Sequence, residues 1–224
     1  MGRIIVRPET TKNPITKMGE SCGLCYGSKV SDPERNYKRG KEVLLSDHGR
    51  VTEYVNVELI LDGYSARVIR EWYTHIVGAT RLQASTRYIN YTKTGEINHV
   101  IPPSVKKNPE ALELYTQAME SLGNCCKTLE TEYGITREDV AMLFPLGMTT
   151  KVVDKRTLRS LIEMSHQRKC TRAYWEFREL FRDIEEALSE YSPEWKEVVD
   201  LMFKPKCEVY GRCPEAKSCG RFKG

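Results

Sequence analysis

"TEYVNVELILDGYSARVIREWYTHI", residues 52–76, changes its apolar period half-way along. Val55, Val57, Leu59 and Leu61 recur at every second position, which places them on one face of a strand. Asp62-Gly63 supplies a turn signal that ends the strand. Val68, Ile69, Trp72, Tyr73 and Ile76 then recur at helical spacing, so a helix follows. A half-buried strand joined directly to an amphipathic helix is the seed of a mixed fold, and the flanking sequence extends it.

Downstream, residues 109–133 carry Leu112, Tyr115, Met119, Leu122, Cys126, Leu129 and Tyr133 on one side of a long helix. Thr136 with Asp139 reads as the start of a short helix that Pro145 ends. "INHVIPPS" (97–104) and "TTKVVD" (149–154) read as short strands. Residues 155–169, 172–190 and 193–203 read as helices, the last opened by Pro193. Residues 12–40 are rich in Gly, Pro, Ser and Lys and read as irregular, with one helical turn at most. The expected fold is α+β: an antiparallel sheet with several long helices. Residues 1–203 are expected to form one catalytic domain, and 204–224 a Cys-rich tail.

The totals narrow the function. The 224 residues suffice for a sizeable core, and 40% hydrophobic with 29% charged residues reads as a soluble globular chain. No apolar run reaches membrane-spanning length, and the N-terminus lacks the apolar core of a signal peptide, so no membrane partner and a cytoplasmic location are expected. A formal charge of +4 suits small anions and is too small to argue for nucleic acid.

"HIVGATRLQASTRYINY", residues 75–91, is the densest run of hydrogen-bonding side chains. In an extended chain Arg81, Gln83, Ser85 and Arg87 share one face. That face is either a solvated edge or a phosphate cradle, where a guanidinium fork works beside a hydroxyl. In the helix at 155–169, Leu158, Leu161, Ile162 and Ser165 form the inner side, Arg159, Glu163 and His166 another, and Arg168 lies at the border. Arg159 and Glu163 form an i,i+4 pair, and Arg168 either snorkels or meets a ligand.

"LQASTRY" (82–88), "VIPPSV" (100–105), "LFPL" (143–146) and "LRSLIEMSHQRKCTRAYWEFREL" (158–180) occur in this order. On these segments the chain resembles the flavin-dependent thymidylate synthases, over roughly residues 20–200. The signature of that family, R-H-R-x-x-S-x-N-E-x-S-x-R followed by Tyr, is matched in its last part by Ser85, Arg87 and Tyr88. The second half of the family's sequence is matched by Arg159 to Arg168, then Ala173, Trp175 and Glu176. The Arg-His-Arg triplet is replaced by Thr74-His75-Ile76 or His75-Ile76-Val77, and Asn-Glu by Leu82-Gln83.

The resemblance implies methylation of dUMP at C5. Methylenetetrahydrofolate would give the carbon, NADPH-reduced FAD the hydride, and a homotetramer would share the active sites. It implies that Ser85 and Arg87, with Arg81, Gln83 and Thr86 beside them, bind the nucleotide. Arg168 would face the pyrimidine and stabilise negative charge at N3 and O2, as the catalytic group. His48, Arg50, His75, Gln83, Thr157, Arg159, Glu163 and His166 are the implied cofactor-binding positions. A related flavoenzyme acting on another pyrimidine nucleotide, by hydroxymethylation for example, is a second reading. A non-catalytic nucleotide-binding homologue is a third.

Of the eight cysteines, Cys22-x-x-Cys25 is a possible metal half-site, and Cys207, Cys213 and Cys219 form C-x5-C-x5-C. Neither has the paired spacing of a zinc ribbon, so structural thiols are expected and no metal ligand is assigned. The alternative is that a small, glycine-rich tail needs a metal or a cross-link to hold its shape.

Overall fold

The strand that carries Val57, Leu59 and Leu61 is one of the two inner strands of the sheet. The computed structural model describes residues 2–222. Its elements run β1 (Arg3–Val6), α1 (Pro14–Cys25), α2 (Pro33–Leu45), a 3₁₀ segment (Gly49–Tyr54), β2 (Asn56–Ser65), α3 (Ala66–Trp72) and β3 (Ala79–Gln83). There follow α4 (Pro103–Lys106), α5 (Pro109–Thr131), α6 (Arg137–Val140), β4 (Thr149–Thr157), α7 (Leu158–Arg168), α8 (Trp175–Tyr191), α9 (Pro193–Met202) and α10 (Lys206–Tyr210).

The strand order is β1-β2-β4-β3. Arg7 N–H donates to Glu58 O and Thr11 N–H to Asn56 O. Lys151 pairs with Asp62 and Lys155 with Glu58. Thr157 N–H donates to Gly78 O and Ala84 N–H to Lys151 O. In every pair one residue number rises as the other falls, so the sheet is antiparallel throughout. With its long helices this is the expected α+β class.

Val55, Val57, Leu59 and Leu61 are all fully buried, as their alternation requires. Four local expectations differ. β2 does not stop at Asp62-Gly63 but continues to Ser65, because Gly63 takes a positive φ of 81° inside the strand. The strand expected in "INHVIPPS" is a single bridge between His99 and Met148. β4 runs to Thr157, and the helix begins only at Leu158, where the Thr157 hydroxyl caps Ser160 N–H at 3.3 Å. The tail contains one short helix, α10, closed by Gly211 at φ 63°.

A further difference, beyond these four, is the largest. Residues 12–40 are not irregular: they contain all of α1 and most of α2. Pro14 and Pro33 stand in the first turn of their helices, where a missing N–H costs nothing. Gly19 and Gly40 mark the crossing of the two helices. A Cβ on Gly19 would lie 1.7 Å from Asn36 O, and one on Gly40 1.9 Å from Ile15 O. Residues that look like loop punctuation are therefore the contact that lets two backbones touch.

The contacts fall into two units. Among the described residues the first holds Gly2, Asp62–Arg70 and Gln83–Val152, around buried Ile97, Met119, Cys126, Val140 and Met148. The second holds Arg3–Leu61, Glu71–Leu82 and residues 153–222, the tail included. In it α1 packs on α2 and α8 on α9, with Phe177, Leu180, Phe181, Ile184, Leu188 and Trp195 buried. Among the described residues no helix is long and apolar enough to cross a membrane.

Candidate functional site

α7 organises the second unit's polar groups. Leu158, Leu161, Ile162 and Ser165 are buried, as its helical spacing dictates. That leaves Arg159, Glu163 and His166, at i, i+4 and i+7, on another face. The 3₁₀ segment after His48 packs against it. A cavity of about 340 Å³ lies between them, lined by His48, Arg50, Arg159, Glu163 and His166. Five of the eight positions expected to bind a cofactor, from segments more than a hundred residues apart, thus meet in one place.

In that cavity Arg159 is held from two sides, Nη1 donating to Glu53 Oε1 at 2.6 Å and Nε to Glu163 Oε1 at 3.1 Å. Burial pushes the His166 imidazole below its ordinary range. His48 and Arg50 also line a second cleft of about 760 Å³, together with Leu24, Tyr26, Val51 and Tyr54. The two clefts give a mixed-charge rim, with Arg50 and Arg159 beside Asp47 and Glu163, next to an apolar, aromatic neighbour. Thr157 stands at the N-terminus of α7 and is occupied as its cap.

The other end of α7 carries a second group. Arg168 Nε donates to His75 Nε2 at 2.9 Å, and its Nη1 to Glu71 Oε2 at 3.2 Å. Its guanidinium lies over the Phe177 ring, 4.5 Å from the centroid. Only a neutral imidazole can accept that hydrogen bond. Burial, with the nearby Arg168 and Arg156 charges, lowers the His75 pKa to about 4, so the acceptor form is held at neutral pH. Beneath lies a buried pair: Arg156 donates to Asp154 through Nε at 2.6 Å and Nη2 at 2.8 Å, and Trp72 Nε1–H also donates to Asp154, at 2.8 Å. The result is an arginine whose position is fixed by a chain of packed and hydrogen-bonded neighbours.

β3 and the turn after it carry the remaining positions. Arg81 stacks on Tyr73 at 4.0 Å and donates to Tyr73 O at 3.3 Å, so this arginine is docked rather than loose. In the first unit, Gln83 Nε2 donates to Thr150 Oγ1 at 3.4 Å. The expected single face formed by Arg81, Gln83, Ser85 and Arg87 is not observed. β3 ends at Gln83, and Ser85, Thr86 and Arg87 enter a turn in which Ser85 Oγ accepts from Arg87 N–H at 3.1 Å. A serine that bonds the backbone two residues on competes with the ladder and curls the chain. Arg87 Nε meets Glu138 at 2.7 Å in an exposed pair.

Glu53, Glu71, Phe177 and the Asp154–Arg156 pair were not legible as site residues. Glu71 and His75 stand at i,i+4 spacing, which is the one local signal that links Glu71 to the Arg168 group.

The sequence profile of the family described as "Thymidylate synthase complementing protein" matches residues 9–194. The flavin-dependent thymidylate synthase of Clostridium tetani is 30% identical over 247 aligned positions, covering 99% of this chain and 94% of that protein. The chain belongs to the flavin-dependent thymidylate synthase family. The family's enzyme from Pyrococcus furiosus is 27% identical over 92% of this chain and 86% of its own length. Among solved structures, the Helicobacter pylori enzyme complexed with FAD and dUMP superposes with a TM-score of 0.66 at 18% identity, over 87% of this chain and 98% of that one. That likeness carries the fold.

Proposed function

We propose that this chain is a flavin-dependent thymidylate synthase, which methylates dUMP at C5 with methylenetetrahydrofolate as carbon donor and NADPH as the source of electrons. Family membership supports the reaction class. The observation that carries it to these residues is the meeting of the His48–Arg50 segment with Arg159, Glu163 and His166 around one cavity.

FAD fits the donor set there. Arg50 and Arg159 supply the cations that a diphosphate needs, and the apolar cleft with Tyr26 and Tyr54 supplies aromatic surface for a planar ring. When bound, FAD supplies hydride transfer. Glu53 and Glu163 hold the Arg159 guanidinium in one orientation before any ligand arrives. Glu163 and His166 add acceptors to the same rim.

For the nucleotide, Ser85 and Arg87 are the proposed phosphate ligands, with Thr86, Gln83 and Arg81 near them in sequence. The Arg87–Glu138 pair is exposed and therefore worth little, so a dianionic phosphate displaces Glu138 at small cost. Arg168 is the proposed catalytic residue. Its charge is fixed by His75, Glu71 and Phe177, and a fixed cation beside N3 and O2 stabilises the charge that makes C5 nucleophilic.

A homotetramer with shared sites, a cytoplasmic location, and a catalytic region of 1–203 followed by a tail at 204–224 complete the reading. The test is direct. Protein reconstituted with excess FAD should retain flavin, oxidise NADPH faster when dUMP is added, and give dTMP with methylenetetrahydrofolate. A protein that neither retains flavin nor oxidises NADPH sinks the proposal, and a hydroxymethyl product would move it to the related flavoenzyme reading.

A further inference from the structure

A cavity of about 240 Å³ lies between the end of α7 and the tail, and Cys170, Cys207, Cys213 and Cys219 all line it. Cys170 follows the α7 C-cap Lys169, while the other three come from a segment 37 to 49 residues further on, as the numbering shows. Four thiols of a chain with eight cysteines have converged on one small space, and all eight are unpaired thiols.

The tail has little else to hold it. Val209 and Tyr210 are exposed, and none of its residues from 206 to 222 is buried. What ties it down is polar. Arg172 Nη2 donates to Lys217 O at 2.8 Å and Arg172 pairs with Glu215 at 3.7 Å. Arg221 Nη1 donates to Lys169 O at 3.2 Å and Arg221 pairs with Glu208 at 2.9 Å. Exposed pairs of this kind contribute little stability, and a coreless segment of this length ordinarily needs a staple.

We propose that Cys170, Cys207, Cys213 and Cys219 form a four-thiolate site that holds a metal centre and staples the tail to the end of α7. Thiolate ligands select soft metals: zinc as a single ion, or iron as an iron–sulfur cluster. Arg172, Lys206, Lys217 and Arg221 line the same cavity and offset the charge of four thiolates. Four sulfurs around one zinc stand about 3.8 Å apart, from a zinc–sulfur length near 2.3 Å. Among the described residues no group of three His, Cys, Asp or Glu is arranged to hold a single ion. Four thiols that share one cavity without that arrangement suit the larger occupant, a cluster. The centre fastens the chain two residues beyond Arg168, so it also fixes the end of the helix that presents that arginine.

The full chain, purified without oxygen, is assayed for iron, zinc and acid-labile sulfide, and the metal-free chain is titrated with zinc alone or with ferrous iron and sulfide. The expected result is one centre per chain with a sulfur-only shell by X-ray absorption. Iron with equal sulfide identifies a cluster and zinc alone a single ion; either supports the four-thiolate site. The variant Cys213→Ser/Cys219→Ser should retain at least about tenfold less metal and melt earlier, whereas Cys125→Ser should retain it fully. The X-ray absorption of the parent protein decides the matter should the double variant fail to fold. Neither metal surviving gel filtration, a shell with nitrogen or oxygen ligands, equal retention by the double variant, or a disulfide between these cysteines would each overturn the proposal.

Discussion

Arg168 is set apart from the other arginines by what surrounds it. Its side chain is only 20% exposed, and three neighbours fix its orientation. Arg168→Ala should therefore lower kcat far more than it weakens dUMP binding, because the lost interaction grows as charge develops. Equal effects on both, measured by steady-state kinetics and calorimetry, would assign Arg168 to ground-state binding. Arg87→Ala should behave in the opposite way, weakening dUMP by about 1.5–3 kcal/mol, the range of a hydrogen bond to a charged group, and leaving uridine binding unchanged. His75 adds a pH signature. Its pKa is about 4 in the fold against an ordinary 6.5, so the unfolded chain binds more protons between those values. Stability from this residue is fully present above pH 6.5 and falls as pH drops toward 4. Melting temperatures of His75→Gln should lose part of that acid slope; an unchanged slope would mean that other groups dominate it.

At the level of elements, α1 and α2 cross on two glycines, and this contact walls the aromatic cleft beside Arg50. Gly40→Ala places a methyl 1.9 Å from the Ile15 carbonyl oxygen, where backbone cannot yield cheaply. Overpacking of about 1–3 kcal/mol is expected, which lowers the melting temperature by roughly 2–12 °C. A calorimetric scan that matches the parent would show that the two helices are free to separate. β4 illustrates a different effect. Its inward positions are Thr150, Val152, Asp154 and Arg156, so half of its buried face is charged. The inward charges conceal the strand's length from any reading based on apolar alternation.

For the molecule as a whole, each unit leaves large apolar side chains in solvent: Val77 and Leu82 at 74% and 76% exposure in one, Met142 at 85% in the other. Where such side chains lie together in one patch they mark interaction sites. Light scattering at micromolar concentration should find a homotetramer, and Leu82→Glu should shift it toward smaller species. A parent protein that is monomeric under those conditions would argue against both the assembly and sites shared between chains.

Much of this was already written in the chain's order of residues. The alternation of Val55, Val57, Leu59 and Leu61 fixed the central strand, and the spacing of Leu158, Leu161, Ile162 and Ser165 fixed which side of α7 is inside. Both follow from backbone geometry, which is local: a strand repeats every two residues and a helix every 3.6. The matches at 82–88 and 158–180 carried the family for the same reason, since they are a matter of residue identity in order. Three features had no local signal. Gly19 and Gly40 look like turn residues until α1 and α2 are seen to cross. Ser85 and Arg87 alternate in sequence, but the Ser85 hydroxyl captures a backbone N–H and bends the chain away from the strand. The Arg50–Arg159 cavity and the four-cysteine cavity each join segments far apart in sequence. Such contacts depend on how whole elements pack, and only the tertiary structure decides that.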